Sequence, residues 1–60
     1  MDLNELKGKY IEDVIDQIKL AYSSVRITYP KMNNLSEDYI NGRLTINCDV
    51  HGRIVSFFQE

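Results

Sequence analysis

Two segments of the chain alternate apolar and polar residues, and twelve residues keep them apart. In "VRITYP", Val25, Ile27 and Tyr29 alternate with Arg26 and Thr28; in "RLTINCDV", Leu44, Ile46, Cys48 and Val50 alternate with Arg43, Thr45, Asn47 and Asp49. A period of two marks a half-buried strand, and Pro30 ends the first one because it has no N–H for a ladder. The stretch between them, "KMNNLSEDYING" from Lys31 to Gly42, has neither a helical nor a strand period. A hairpin needs about two to five residues, whereas a parallel pair needs a crossover of about a dozen. The length therefore predicts a parallel pair whose connection, residues 31–42, is an exposed, extended arch. Leu35 and Tyr39 within it are apolar groups that a merely solvated loop has no use for.

Ahead of the first strand, Ile11, Val14, Ile15, Ile18, Ala21 and Tyr22 recur at three- and four-residue spacing between Lys9 and Ser23. This is one face of an amphipathic helix. Glu12, Asp13, Asp16, Gln17 and Lys19 fill the other face, with acid early and Lys19 late as the helix dipole favours. After the second strand "VHGR" supplies a turn, with Gly52 free to take positive φ, and "IVSFF" returns as a short third strand. The expected fold class is α+β: one amphipathic helix packed on a small mixed sheet, in the order helix, strand, long exposed binding loop, parallel strand, turn and short antiparallel strand. Sixty residues make this a single domain, 1–60.

Size and charge narrow the function. Substrate pockets usually enclose about 300 Å³ or more, and a domain this small has little room for one, so an enzyme is not expected. The hydrophobic fraction is 43% and the charged fraction 27%, as in chains that fold. A net charge of -2, with Lys and Arg scattered, offers no basic stripe for nucleic acid. Cys48 is the only cysteine, which excludes an internal disulfide and a cysteine-built zinc site. No apolar run approaches the roughly 20 residues that span a bilayer, and "MDLNELKGKY" does not read as a signal peptide. These features point to a cytoplasmic protein with no cofactor, no metal, no membrane and no nucleic acid among its partners.

Individual residues have plain readings. His51 sits in a turn without a second ligand at metal spacing, so it is a solvated turn residue. Glu12, Asp13 and Asp16 are the wet face of the helix rather than paired catalytic carboxylates. Cys48 shares the apolar face of its strand and reads as a buried, inert thiol. Phe57 and Phe58 point to opposite faces of the last strand: one joins the core, and the other is an exposed handle for a partner or a weak dimer of an otherwise monomeric chain.

One resemblance covers nearly the whole chain. "LNELKGK" keeps Glu5, Leu6, Gly8 and Lys9 of a Trp-Pro-Glu-Leu-Val-Gly-Lys type opening, with Leu3 and Asn4 in place of the Trp and Pro. Pro30, Arg43 and Asp49 follow without a gap, and "GRLTINCDVHGRIV" carries an Asp-x-x-Gly-Arg-Ile turn. In these features the chain resembles the potato type I family of serine peptidase inhibitors, with its barley chymotrypsin-inhibitor and eglin-like members and a related bacterial and fungal elastase-inhibitor branch.

The resemblance implies an inhibitory loop of Asn34, Leu35, Ser36, Glu37, Asp38, Tyr39 and Ile40, offered to a serine peptidase like a substrate. Glu37 would enter the primary specificity pocket, with the scissile bond to Asp38. Ser36 and Asp38 would be bonded from below by the following strand. Arg43 matches the first supporting arginine, Thr45 stands where a second is found, and Asn47 is the remaining candidate for loop support. Such a loop inhibits because it is preorganised: little conformational entropy is left to lose on binding. An acidic Glu37 suits a peptidase that prefers acidic side chains, a shifted contact frame, or a target that is not a peptidase. The alternative is therefore a non-enzymatic binding module, of the kind a virus, phage or other microbe uses to block a host protein.

Overall fold

A computed structural model describes residues 2–31 and 40–60. The chain opens with a short 3-10 helix, Leu3–Leu6, started by Asp2, whose carboxylate accepts the N–H of Asn4 at 3.0 Å. Helix α1 spans Ile11–Ala21, and three strands follow: β1 Val25–Thr28, β2 Leu44–Cys48 and β3 Ile54–Gln59. The sheet order is β1-β2-β3. β1 pairs β2 in parallel, with Val25 beside Leu44 and Thr28 beside Asn47. β2 pairs β3 antiparallel, with Leu44 beside Gln59 and Ile46 beside Phe57, and a bulge falls at Asn47/Cys48. The fold is α+β, one helix on a small three-stranded mixed sheet, as the alternation and the length of the connection predict.

The helix face and one sheet face enclose the core. Ile11, Val14 and Ile18 of α1 meet Leu44, Ile46, Cys48 and Ile54, and Leu6 joins them from the 3-10 helix. Ile18, Leu44 and Ile46 are fully buried. Ile15, Tyr22, Val25, Ile27 and Phe57 close its margin. Removing the larger part of a core Ile or Leu side chain costs about 2–5 kcal/mol, so these few residues dominate the stability of so small a domain.

Several boundaries differ from the sequence expectation, each for a local reason. The helix begins at Ile11 rather than Lys9 because the sheet claims the preceding residues: Gly8 donates to the Ile54 carbonyl at 2.8 Å, Lys9 accepts from the Ile54 N–H at 2.9 Å, and Tyr10 bridges Arg53. Ala21 is exposed, not part of the buried stripe. The backbone turns extended at Tyr22, whose ring packs on the core in its place. Tyr29 lies just past β1 and is 42% exposed.

Val50 is 67% exposed because β2 stops at Cys48 and the chain turns at Asp49. One Asp49 oxygen accepts the N–H groups of His51 and Arg53, each at 2.9 Å. These bonds hold the Asp49 carboxyl below the usual carboxylate range. Gly52 completes the turn at φ +84°, a conformation that costs glycine nothing and an L side chain a great deal. Its carbonyl accepts the N–H of Ile11 at 2.8 Å, tying the turn to the start of α1. His51 is exposed in this turn, and among the described residues no group of three His, Cys, Asp or Glu side chains is placed to hold a metal ion. Among them, too, no helix is long and apolar enough to cross a membrane.

Candidate functional site

Because β1 and β2 run in parallel, the connection departs at one end of the sheet and must return to the other. It leaves through Tyr29, Pro30 and Lys31, all exposed, where Tyr29 and Val50 shape an open groove. It comes back through Ile40, Asn41 and Gly42 into Arg43. Among the described residues, several hydrogen bonds and an ion pair converge on this return.

Glu60, just beyond β3, is the centre of the return. One carboxylate oxygen accepts the backbone N–H of Ile40 at 2.8 Å. The other takes two of the Arg43 donors, Nε at 2.8 Å and the closer Nη2. Arg26 of β1 stands 3.7 Å from that same oxygen. The backbone repeats the grip: Glu60 N–H donates to the Arg43 carbonyl and Gly42 N–H to the Glu60 carbonyl, both at 2.9 Å.

The side chains of Arg43 and Glu60 are each only 8% exposed. Two guanidinium N–H groups converging on one carboxylate oxygen, while the backbone N–H of Ile40 holds the other, fix direction as well as distance. Donation from Ile40 and Arg43, with the positive charges of Arg43 and Arg26 nearby, holds the Glu60 carboxyl below its ordinary value. Gly42 makes the approach possible by taking φ +82°.

The same outward face of the sheet continues as a polar ladder. Arg26 Nε donates to Thr45 Oγ1 at 3.2 Å. Thr28 Oγ1 donates to Asn47 Oδ1 at 2.6 Å, and Asn47 Nδ2 donates to Ser56 Oγ at 3.0 Å. Among the described residues no buried side-chain nitrogen or oxygen lacks a partner. The face is thus a satisfied hydrogen-bond network rather than an interrupted core.

Of the residues expected to form the loop, Asn34, Leu35, Ser36, Glu37, Asp38 and Tyr39 lie outside the described residues. Ile40 is 44% exposed and held through its N–H by Glu60. Arg43, Thr45 and Asn47 all sit on the outward face as the alternation requires. Arg43 grips Glu60 at the return, Thr45 serves Arg26, and Asn47 links β1 to β3.

Sequence reasoning missed Glu60 and Arg26. The available signal was parity: Glu60 continues the outward phase of Ser56 and Phe58, and Arg26 occupies the polar phase of "VRITYP". Cys48, by contrast, is a free thiol only 5% exposed, as expected for an inert core residue. Burial and the neighbouring Asp49 charge push its pKa up. No family model matches the chain, and no curated protein or solved structure matches it either.

Proposed function

We infer that the protein is a small inhibitor that presents residues 34–40 to a serine peptidase as a preformed, substrate-like segment. The supporting observation is the clamp at the return of the crossover, where Glu60 binds Ile40 and Arg43 together while Arg26 approaches from the neighbouring strand. A segment whose return is bolted to the sheet loses less freedom on binding than a loose tether does. The parallel β1/β2 pairing adds to this, because it holds the departure and the return in one rigid sheet whether or not the bond between Glu37 and Asp38 is intact. The resemblance to the potato type I inhibitors supplies the target class and the frame in which Glu37 enters the specificity pocket.

The test is inhibition of a panel containing a glutamate-preferring endopeptidase, a subtilisin, a chymotrypsin and an elastase, followed by mass analysis for one slow cut after Glu37. Inhibition of the glutamate-preferring enzyme is the expected result. Rapid cleavage throughout 31–42, or no inhibition at micromolar protein, would remove the reading.

A second reading, a binding module that blocks a non-peptidase protein through the same segment, is favoured by one observation. An unpaired carboxylate such as that of Glu37 costs several kcal/mol to bury in an apolar specificity pocket. Replacement of Leu35, Glu37 and Tyr39 by Ala would then abolish capture of that partner while peptidases of the panel stay uninhibited by the native chain.

A further inference from the structure

The return of the crossover contains the dipeptide Asn41–Gly42, both residues exposed. Asparagine followed by glycine is the pair most open to attack by its own backbone, because a glycine nitrogen has no neighbouring side chain to shield it. Here the pair forms the centre of a β-turn: the Arg43 N–H donates to the Ile40 carbonyl at 3.1 Å, and Gly42 stands at φ +82°. The end of β3 grips the same pair. The Gly42 N–H donates to the Glu60 carbonyl at 2.9 Å, and Gln59 Nε2 reaches the Gly42 carbonyl at 3.4 Å.

These contacts set the pair against its own chemistry. The two β-turns with positive φ at the third position, types II and I′, give the residue before it a ψ of about +120° or about +30°, whereas ring closure onto the Asn41 side chain needs about −120°, with the Gly42 nitrogen eclipsing Cβ. That nitrogen must also give up the proton it now directs at Glu60. Both obstacles vanish only when the turn leaves the sheet.

We propose that Asn41 is a deamidation site held inactive by the clamp at the return of the crossover, and that each opening of the clamp exposes it to an irreversible change. With the turn open, solvent base takes the Gly42 amide proton and the nitrogen attacks Asn41 Cγ. The Cγ–Nδ2 bond breaks and ammonia departs, leaving a succinimide. Water then opens the ring: cleavage at Cγ gives aspartate, and cleavage at the main-chain carbonyl gives isoaspartate, in which the backbone runs through Cβ. Nothing is oxidised or reduced. Either product places a new carboxylate next to Ile40, whose N–H the Glu60 carboxylate holds, so like charges meet at the clamp. Isoaspartate also adds one backbone atom to the turn that Ile40 and Arg43 close, which carries the Gly42 N–H out of line with Glu60. The modified chain therefore keeps its core and loses its bolted return. None of this depends on what residues 34–40 bind.

The test is incubation of the whole chain in mildly alkaline buffer, folded and unfolded in urea, with peptide mass analysis and fragmentation to follow residue 41 alone. Asn41 should react at least about tenfold more slowly in the folded chain than in the unfolded one. Arg43→Ala and Glu60→Gln, with urea midpoints establishing that both fold, should each raise the folded rate several-fold. Urea below the unfolding transition should leave the folded rate nearly unchanged, because opening of the return alone exposes little surface. The isoaspartate product, separated from the parent chain, should have lost protection of the Ile40 amide while Ile46 keeps its own. Equal rates in the folded and unfolded chain, no acceleration in either variant, a folded rate that climbs with urea as global unfolding does, or a product with Ile40 still protected would overturn the proposal.

Discussion

The two faces of β2 are made from alternate residues of one short strand, yet they are held by different physics. Leu44, Ile46 and Cys48 face α1 and are stabilised by removal of apolar surface from water, which is non-directional. Arg43, Thr45 and Asn47 face the other way and are held by Glu60, Arg26, Thr28 and Ser56 through bonds that demand particular angles and partners. The first face supplies most of the stability. The second fixes where the crossover comes back, and it tolerates fewer substitutions of chemical type.

The contrast is open to direct attack. The largest effect belongs to the apolar face: Ile46→Ala should cost about 3–4 kcal/mol, read as a lowered urea midpoint, because Ile46 is fully enclosed. If it costs less than about 1 kcal/mol, the core is not where the stability lies. On the polar face Arg43→Ala should destabilise less than this, while amide exchange at Ile40 and Gly42 accelerates strongly, because the clamp is lost and the rest of the sheet is kept. Equal acceleration across β2 would mean that the return is no separate unit.

Thr45→Val keeps the shape and deletes one acceptor for Arg26, a loss of about 1 kcal/mol. Phe58→Lys, at an exposed position, should change stability by no more than about 0.5 kcal/mol.

Acid sharpens the same comparison. The folded Glu60 carboxyl titrates below its ordinary value, so the clamp's contribution is fully present above the unfolded carboxylate pKa and is lost as the pH falls through the lower folded value. The protection of the Ile40 amide, taken relative to its intrinsic exchange rate at each pH, should therefore fall in that acidic window while Ile46 stays protected. In Glu60→Gln that acidic step should disappear, and the protection of Ile40 relative to its intrinsic rate should be low and the same at every pH. Asp49 shifts in the same direction, so Asp49→Asn is the control that separates the turn from the clamp.

What the sequence disclosed divides along these faces. The alternation in "RLTINCDV" and the three- and four-residue spacing from Ile11 to Ile18 were enough to place the core, because burial needs only the right periodicity. The twelve-residue gap gave the parallel pairing. The failures come where a local hydrogen bond overrides the period: Val50 keeps the alternation but the Asp49 turn takes it out of the sheet, and Lys9 is helical in composition but is claimed by Ile54. The resemblance singled out Arg43. Its carboxylate partner was not legible, since pairing Arg43 with Glu60 depends on the β2/β3 register, which brings together residues seventeen apart in sequence.

The solitary thiol in β2 gives the molecule a built-in clock. Cys48 is enclosed between helix and sheet with its pKa raised, so a thiol reagent can reach it only when the strand comes away from its neighbours. The rate at which one sulfur is alkylated therefore times whole-domain opening, without any introduced probe and without a competing disulfide to complicate refolding.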